Sequence, residues 1–270
     1  MIRTTAALAA VLTTLTTAMP APASELVPHR AFYRLSLATL GSDSEVSDVQ
    51  GGIGYEISDG CDGWIVEQQY AMRILWSNGT ETDSSDTFVS WESKDGLEYR
   101  FNAKKFRNGE QYKLINGRAE LESKGGAGMA RFDEPENSKI PLPAGTVFPT
   151  EHTIILLQEA LNGKKFDRHM VFDGSDVEGA SATSTVILNR KPAGDGGVLE
   201  APLGPHPVWP MKLAFYAAEG QAGPGEELPE FELSMDIQEN GIAASLVLIF
   251  DGFSLNGTLE SIERLPDPRC

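Results

Sequence analysis

"PEFELSMDIQENGIAASLVLIFDGFSLNGTLESIERL", residues 229–265, is the stretch whose pattern decides the fold. Phe231, Leu233, Met235 and Ile237 alternate with Glu232, Ser234, Asp236 and Gln238, the period of two of a half-buried antiparallel strand. Asn240-Gly241 and Asp251-Gly252 then offer the positive φ angles that two-residue hairpin turns require. The segment therefore reads as a three-stranded meander. Its middle strand is apolar on both faces at Leu246, Val247, Leu248, Ile249 and Phe250. A strand of that kind is covered on both sides, so the sheet is expected to wrap around or stack on something.

The same grammar runs upstream. Asn-Gly recurs at 78–79, 108–109, 116–117, 162–163 and 256–257, and Asp-Gly at 59–60, 62–63, 95–96, 173–174 and 195–196. Between these turn signals Trp64, Val66, Tyr70, Met72 and Ile74 share one face of a strand, opposite Glu67, Gln69 and Arg73. Leu97, Tyr99 and Phe101 alternate in the same way with Glu98, Arg100 and Asn102.

One segment breaks the period. In "PTEHTIILLQEALNGKK", residues 149–165, Ile154, Leu157 and Leu161 fall three and four apart. Thr150 is placed to be the N-cap, Glu151 lies in the first turn, and Asn162-Gly163 closes the C-terminus. The spacing predicts one short buried helix near residues 150–162. The fold class is thus mainly β: a curved antiparallel sheet with this helix packed in its concavity. The Pro/Gly-rich stretches, including residues 190–207 and 218–230, have the length of loops, not domain linkers, so a single domain is expected over 24–270.

The N-terminus carries Arg3, an apolar run from Ala6 to Ala18, Pro20 and Pro22, and a small-x-small pattern at Ala21-Pro22-Ala23. These are the parts of a secretory signal peptide, with cleavage expected near Ala23. The run is too short to span a bilayer, which needs about 20 apolar residues. With 39 Asp+Glu against 22 Lys+Arg, the formal net charge is −17. That argues against nucleic-acid binding and against docking on anionic lipid. The chain has two cysteines, Cys61 and Cys270. In an exported protein two thiols usually pair, and a disulfide is favoured here over a reactive thiol because no histidine lies near either cysteine in sequence. Closing a loop of about 210 residues would remove unfolded-state entropy worth ~5 kcal/mol at most.

The sequence lacks a G-x-S-x-G elbow, a P-loop, an H-E-x-x-H and a C-x-x-C motif. No catalytic residue, cofactor or metal is assigned. "WESKDGLEYRF", residues 91–101, groups Trp91, Glu92, Asp95, Glu98 and Arg100 around a hairpin. Paired carboxylates there would suit glycosidic chemistry, but a solvated turn with outward charges is the more economical reading. The acidic runs at 42–48 and 226–232 lack a calcium-loop pattern. His152 stands at the helix start without a second histidine four residues on. Trp209, between prolines ahead of an apolar strand, is a candidate exposed grip for a ligand or partner, though a packing residue at the strand entry is the commoner case. Trp64, Trp91, Arg100, His152 and Trp209 are accordingly the ligand or partner candidates.

"HRAFYRLSL" (29–37), "YEISDGCDGWIVEQQ" (55–69), "FVSWESKDGLEYRF" (88–101), "LPAGTVFPTEHT" (142–153), "VFDGSD" (171–176), "WPMKLAFY" (209–216), residues 239–266 and the final Cys270 resemble the EipB-like cell-envelope-integrity family of alphaproteobacteria. The resemblance covers nearly the whole chain after the signal segment. It implies a periplasmic protein whose fold is an antiparallel β-spiral or broken barrel, with a disulfide at the positions of Cys61 and Cys270. It also implies a non-enzymatic role in envelope integrity, in concert with other periplasmic proteins such as helical-repeat ones, without a cofactor. Two other functions stay open at this point: a carrier or sensor of a lipid-like apolar ligand, and a hydrolase of wall polymer.

Overall fold

The structure, a computed structural model, describes residues 26–192, 206–218 and 228–270. The expected signal segment, the Asp195-Gly196 turn and much of the two Pro/Gly-rich stretches lie outside the described residues. Among the described residues, fifteen strands and one helix follow in the order β1 (His29–Leu40), β2 (Val46–Asp59), β3 (Gly63–Trp76), β4 (Glu81–Ser93), β5 (Glu98–Arg107), β6 (Glu110–Leu121), β7 (Gly128–Glu134), β8 (Ser138–Leu142) and β9 (Thr146–Val147). Then come α1 (Pro149–Leu161), β10 (Phe166–Val171), β11 (Ser181–Ile187), β12 (Val208–Ala218), β13 (Phe231–Gln238), β14 (Ala243–Phe250) and β15 (Phe253–Arg264). Among the described residues, no helix is long and apolar enough to cross a membrane.

All the strands belong to one sheet, ordered β8-β7-β6-β5-β4-β3-β2-β1-β15-β14-β13-β12-β11-β10-β9. The chain starts in the middle, winds to one edge at β8, and returns from the other edge, β9, back to the middle. β1 and β15 pair antiparallel from His29↔Arg264 to Leu40↔Phe253. The result is a nearly closed barrel-like wrap with one seam, between β8 and β9. The expected mainly-β spiral with one helix is therefore present, and the 229–265 meander is β13–β14–β15 with the expected turns.

The expectation of antiparallel pairing fails at one place. β9 and β10 pair in parallel, Met170 opposite Thr146. A parallel pair needs a crossover, and α1 is that crossover. The helix is thus imposed by the topology as well as by its own spacing.

The middle strand of the meander is less covered than its sequence suggests. Ala244 and Leu248 are buried, but Val247 and Ile249 are half-buried. The wrap presents one face of β14 to the core and leaves the other partly in water. Two of the Asn-Gly pairs are not turns either: Asn116-Gly117 lies inside β6 and Asn256-Gly257 inside β15. At Gly117 an added Cβ would stand 2.4 Å from the Arg131 carbonyl oxygen and 2.7 Å from the Phe101 ring. That glycine serves close approach, not a positive φ.

The interior is filled by three groups of side chains. Leu156, Leu157 and Ala160 of α1 pack with Ile57, Trp64, Val66, Ile187, Trp209 and Met211. Tyr33, Leu35, Val49, Ile53 and Leu255 fill the region where the chain's two ends meet. The third group bridges the seam. The Tyr99 and Phe148 rings stack at 4.9 Å, Phe172 meets Phe101 edge-on at 5.5 Å, and the Tyr99 hydroxyl donates to the Asp173 carbonyl at 3.0 Å. Aromatic packing of this kind joins the β5–β8 arm to the segments around α1 without a hydrogen-bonded ladder.

Cys61, in the β2–β3 turn, is disulfide-bonded to Cys270, 209 positions away, with a Cα–Cα distance of 5.9 Å. The bridge holds the tail beyond β15 against a strand pair that β1 already joins to β15. A loop of this length stabilises by about 2–4 kcal/mol in practice. Cys270→Ala is expected to lower the melting temperature by roughly 5–15 °C while leaving the far-ultraviolet circular dichroism unchanged; differential scanning calorimetry reads the shift, and an unmoved transition would mean that the bridge adds nothing.

Candidate functional site

Strand periodicity sends the residues of "WESKDGLEYRF" to opposite sides of the wall. Glu92 pairs with Tyr99 on the inner face, and Trp91 pairs with Arg100 on the outer face. Each face carries its own constellation.

Inside, Glu92 is only 2% exposed and caps the enclosed helix. Its Oε2 accepts the Thr150 N–H at 2.8 Å and its Oε1 accepts the Glu151 N–H at 2.7 Å. Pro149 has no N–H to satisfy, and the His152 N–H already bonds the Phe148 carbonyl at 2.9 Å. Phe148, not Thr150, is therefore the N-cap residue, and it contributes no side-chain cap. The outward-charge reading of Glu92 is corrected with it. A carboxylate at a helix N-terminus also meets the positive end of the helix dipole. The C-terminus closes as expected: Gly163 takes φ +77°, and the Lys164 N–H bonds the Glu159 carbonyl at 2.9 Å. Burial pushes the Glu92 carboxyl up to about 7, against the opposing pull of the two backbone N–H groups.

The glycosidic reading does not find its geometry. Glu92 faces inward and caps a helix, Glu98 projects from the outer face, and Asp95 is tied into its own turn by Ser93 at 2.6 Å. No two of them converge on a common cleft.

Outside, the register lays a row of side chains across five strands. Trp91 stands opposite Arg100, Arg100 opposite Arg118, Arg118 opposite Arg131, and Arg131 opposite Lys139. Arg100 lies over the Trp91 ring at 4.7 Å. Gly63 makes room for that indole, since a Cβ there would stand 2.4 Å from its Nε1. Trp91, Arg100 and Arg118 of the row line an open cleft of about 680 Å³ with Ile65, Val89 and Asp133, and Arg131 and Lys139 line the adjoining one. Nearby carboxylates neutralise the row weakly: Glu98 is 3.8 Å from Arg100 and Glu120 is 4.0 Å from Arg118, all of them more than half exposed. Like charges directly opposite one another across strands cost about 0.2–1 kcal/mol per pair. Sequence reading singled out Trp91 and Arg100 but missed Arg118, Arg131 and Lys139, because only the strand register brings them into line.

The remaining candidates fall elsewhere. Trp64 is buried beside α1, with the Lys94 Nζ 3.2 Å from its ring centre. Trp209 is a core residue within β12, 5% exposed, which is the packing role favoured for it over an exposed grip. Its strand places the indole on the face that receives α1. His152 is buried on α1 and faces Asp167 and His169 of β10.

Comparison with known proteins matches residues 20–266 to the EipB-like family. A relative named cell envelope integrity protein EipB, from Brucella abortus (strain 2308), is 27% identical over 249 residues, covering 91% of this chain and 87% of that protein. A crystal structure of a beta-barrel-like protein of a domain of unknown function, also from Brucella abortus, superposes with a TM-score of 0.81 at 26% identity, covering 90% of this chain and 99% of that one.

The Glu92 cap is open to test. Glu92→Ala, which leaves two buried N–H groups without an acceptor, is expected to cost about 2 kcal/mol, or roughly 4–8 °C in melting temperature. The pH dependence has a definite sign. With the folded pKa above the unfolded one, the folded protein retains a proton that the unfolded chain has released, so this group's contribution falls as pH rises from about 5 to about 7. His29, whose burial lowers its pKa, pulls the opposite way. The readout is therefore the difference between the wild type and Glu92→Gln, and parallel melting-temperature curves over that range would refute the assignment.

Proposed function

The chain belongs to the EipB-like family, and on that premise we propose that it supports cell-envelope integrity as a periplasmic, non-enzymatic protein acting through contacts with another protein. The observation that carries the contact reading is the row Trp91–Arg100–Arg118–Arg131–Lys139. A chain of net charge −17 that aligns four cations beside a half-buried tryptophan retains a local repulsion that folding alone would select against. Tryptophan and arginine are the side chains that most often dominate interface energetics. Electrostatic complementarity makes an acidic segment of a partner the fitting occupant, and the overall negative charge of the remaining surface disfavours docking elsewhere.

An apolar ligand is supported less well. Three groups of side chains fill the interior, and the cleft beside the row is open and rimmed by arginines, whereas a lipid-sized site is an enclosed apolar cavity.

Deleting the gene is expected to sensitise cells to detergents and wall-targeting drugs. Complementation with Arg118→Gln plus Arg131→Gln should fail to restore survival, by tenfold or more. The same protein should melt at or slightly above the wild-type temperature, because the substitutions relieve cross-strand repulsion. Full complementation by the stable double variant would remove the row from the function; a lowered melting temperature would make it a structural feature.

A further inference from the structure

Helix α1 and strand β10 meet in a polar cluster that the envelope role does not use. His152 comes from the helix; Asp167 and His169, two apart on β10, point from the same face of the strand. One ligand atom from each lies within 4.8 Å of the other two. Asp167 Oδ2 is 2.7 Å from His169 Nδ1 and 3.6 Å from His152 Nε2. The side chains of His152 and Asp167 are each 6% exposed, and that of His169 is 25% exposed. Burial opposes the charge on Asp167, but the flanking His152 and His169 outweigh it and hold its carboxyl well below the usual carboxylate range.

Hydrogen bonding within the protein leaves this cluster incomplete. His152 Nε2 is buried, is turned towards Asp167, and has no hydrogen-bond partner. At 3.6 Å the Asp167 oxygen is beyond hydrogen-bonding distance. A second buried atom close by, Oε2 of Glu159, also lacks a partner. Glu159 lies two helical turns on from His152 on the same face of α1, next to Asp167, and its other oxygen is engaged by Lys164. An orphaned buried polar atom is costly, so a folded protein that keeps His152 Nε2 unbonded beside Asp167 calls for a partner.

We propose that His152, Asp167 and His169 form a divalent transition-metal site of the zinc type, with a water as the fourth ligand. Two imidazole nitrogens and one carboxylate oxygen are a recurrent zinc donor set. A tetrahedral ion with bonds near ~2 Å sets its ligand atoms roughly 3.3 Å apart. The 2.7 Å Asp167–His169 contact then opens by about 0.6 Å and the 3.6 Å Asp167–His152 contact closes by about 0.3 Å. His169, the most exposed of the three, marks the side from which an ion enters. The ion would join α1 to β10, the second strand from the seam. Its role is that of a staple for the enclosed helix, on the side of the wrap where the sheet has no ladder of its own.

The test uses the untagged, mature-length protein stripped with chelator and then titrated with Zn²⁺. One equivalent is expected to bind per chain, with the melting temperature raised by several degrees at saturation. Co²⁺ in place of Zn²⁺ should give the visible absorption of a tetrahedral nitrogen–oxygen site. His169→Ala, a substitution at the partly exposed ligand, should weaken binding at least tenfold while the metal-free melting temperature stays near that of the wild type. Should that variant misfold, His169→Gln is the replacement, with the same expected loss. Binding well below one equivalent, or unaltered affinity in the folded His169 variant, overturns the site. Neither outcome bears on the arginine row, which lies on the opposite face of the wall.

Discussion

The carboxylate of Glu92 stands where the curved wall meets the helix it encloses, and it accepts the two N–H groups that α1 leaves unbonded at its start. A helix placed inside a sheet cannot turn its end groups to water, so the wall has to supply an acceptor. Glu92 is the residue of β4 that reaches inward at the right height. Its own desolvation, which moves its carboxyl up to about 7, is the cost of that position. The seam, the crossover and the polar cluster all depend on the helix being held there.

With α1 fixed, the sheet does not have to close by hydrogen bonds. β8 and β9 are adjacent in the chain but lie at opposite ends of the strand order. Phe148, immediately before the helix, stacks on Tyr99 of β5, and Phe172, immediately after β10, meets Phe101. Apolar contact tolerates a geometry that a strand ladder does not, which is how a spiral of fifteen strands ends without pairing its edges. On the other side the β1–β15 ladder and the Cys61–Cys270 bridge bring together the early and late parts of the chain. The molecule is thus held by covalent and hydrogen-bonded contacts at its middle strands and by aromatic packing at its seam.

The two constellations proposed to act lie on opposite faces of this wall and were unequally legible in the sequence. Trp91 and Arg100 stood out by their position around a hairpin, but Arg118, Arg131 and Lys139 lie in three further strands. Their alignment is a fact of register, and register depends on where each hairpin turns. The two inferred turns at Asn116-Gly117 and Asn256-Gly257 are strand interior. There the glycine answers to a neighbouring backbone or side chain that no local pattern reveals. His152 was noticed without a partner because Asp167 and His169 reach it only through the crossover. Glu92 was assigned to the wrong side for a related reason: alternation sorts residues into two faces but does not say which face is inside.

By itself the sequence determined the strand-rich class, the single helix and its C-cap, the meander of residues 229–265 and the pairing of Cys61 with Cys270. Each of these rests on a local periodicity, a turn residue or a count of thiols, and none needs knowledge of distant neighbours. Tertiary structure alone decided which edge of the sheet each strand occupies, that β9 and β10 run parallel, that Glu92 rather than Thr150 receives the helix, and which polar side chains converge. Those outcomes are set by contacts between residues far apart in the chain, where the cost of burying an unpaired group is settled by whatever the fold brings alongside it.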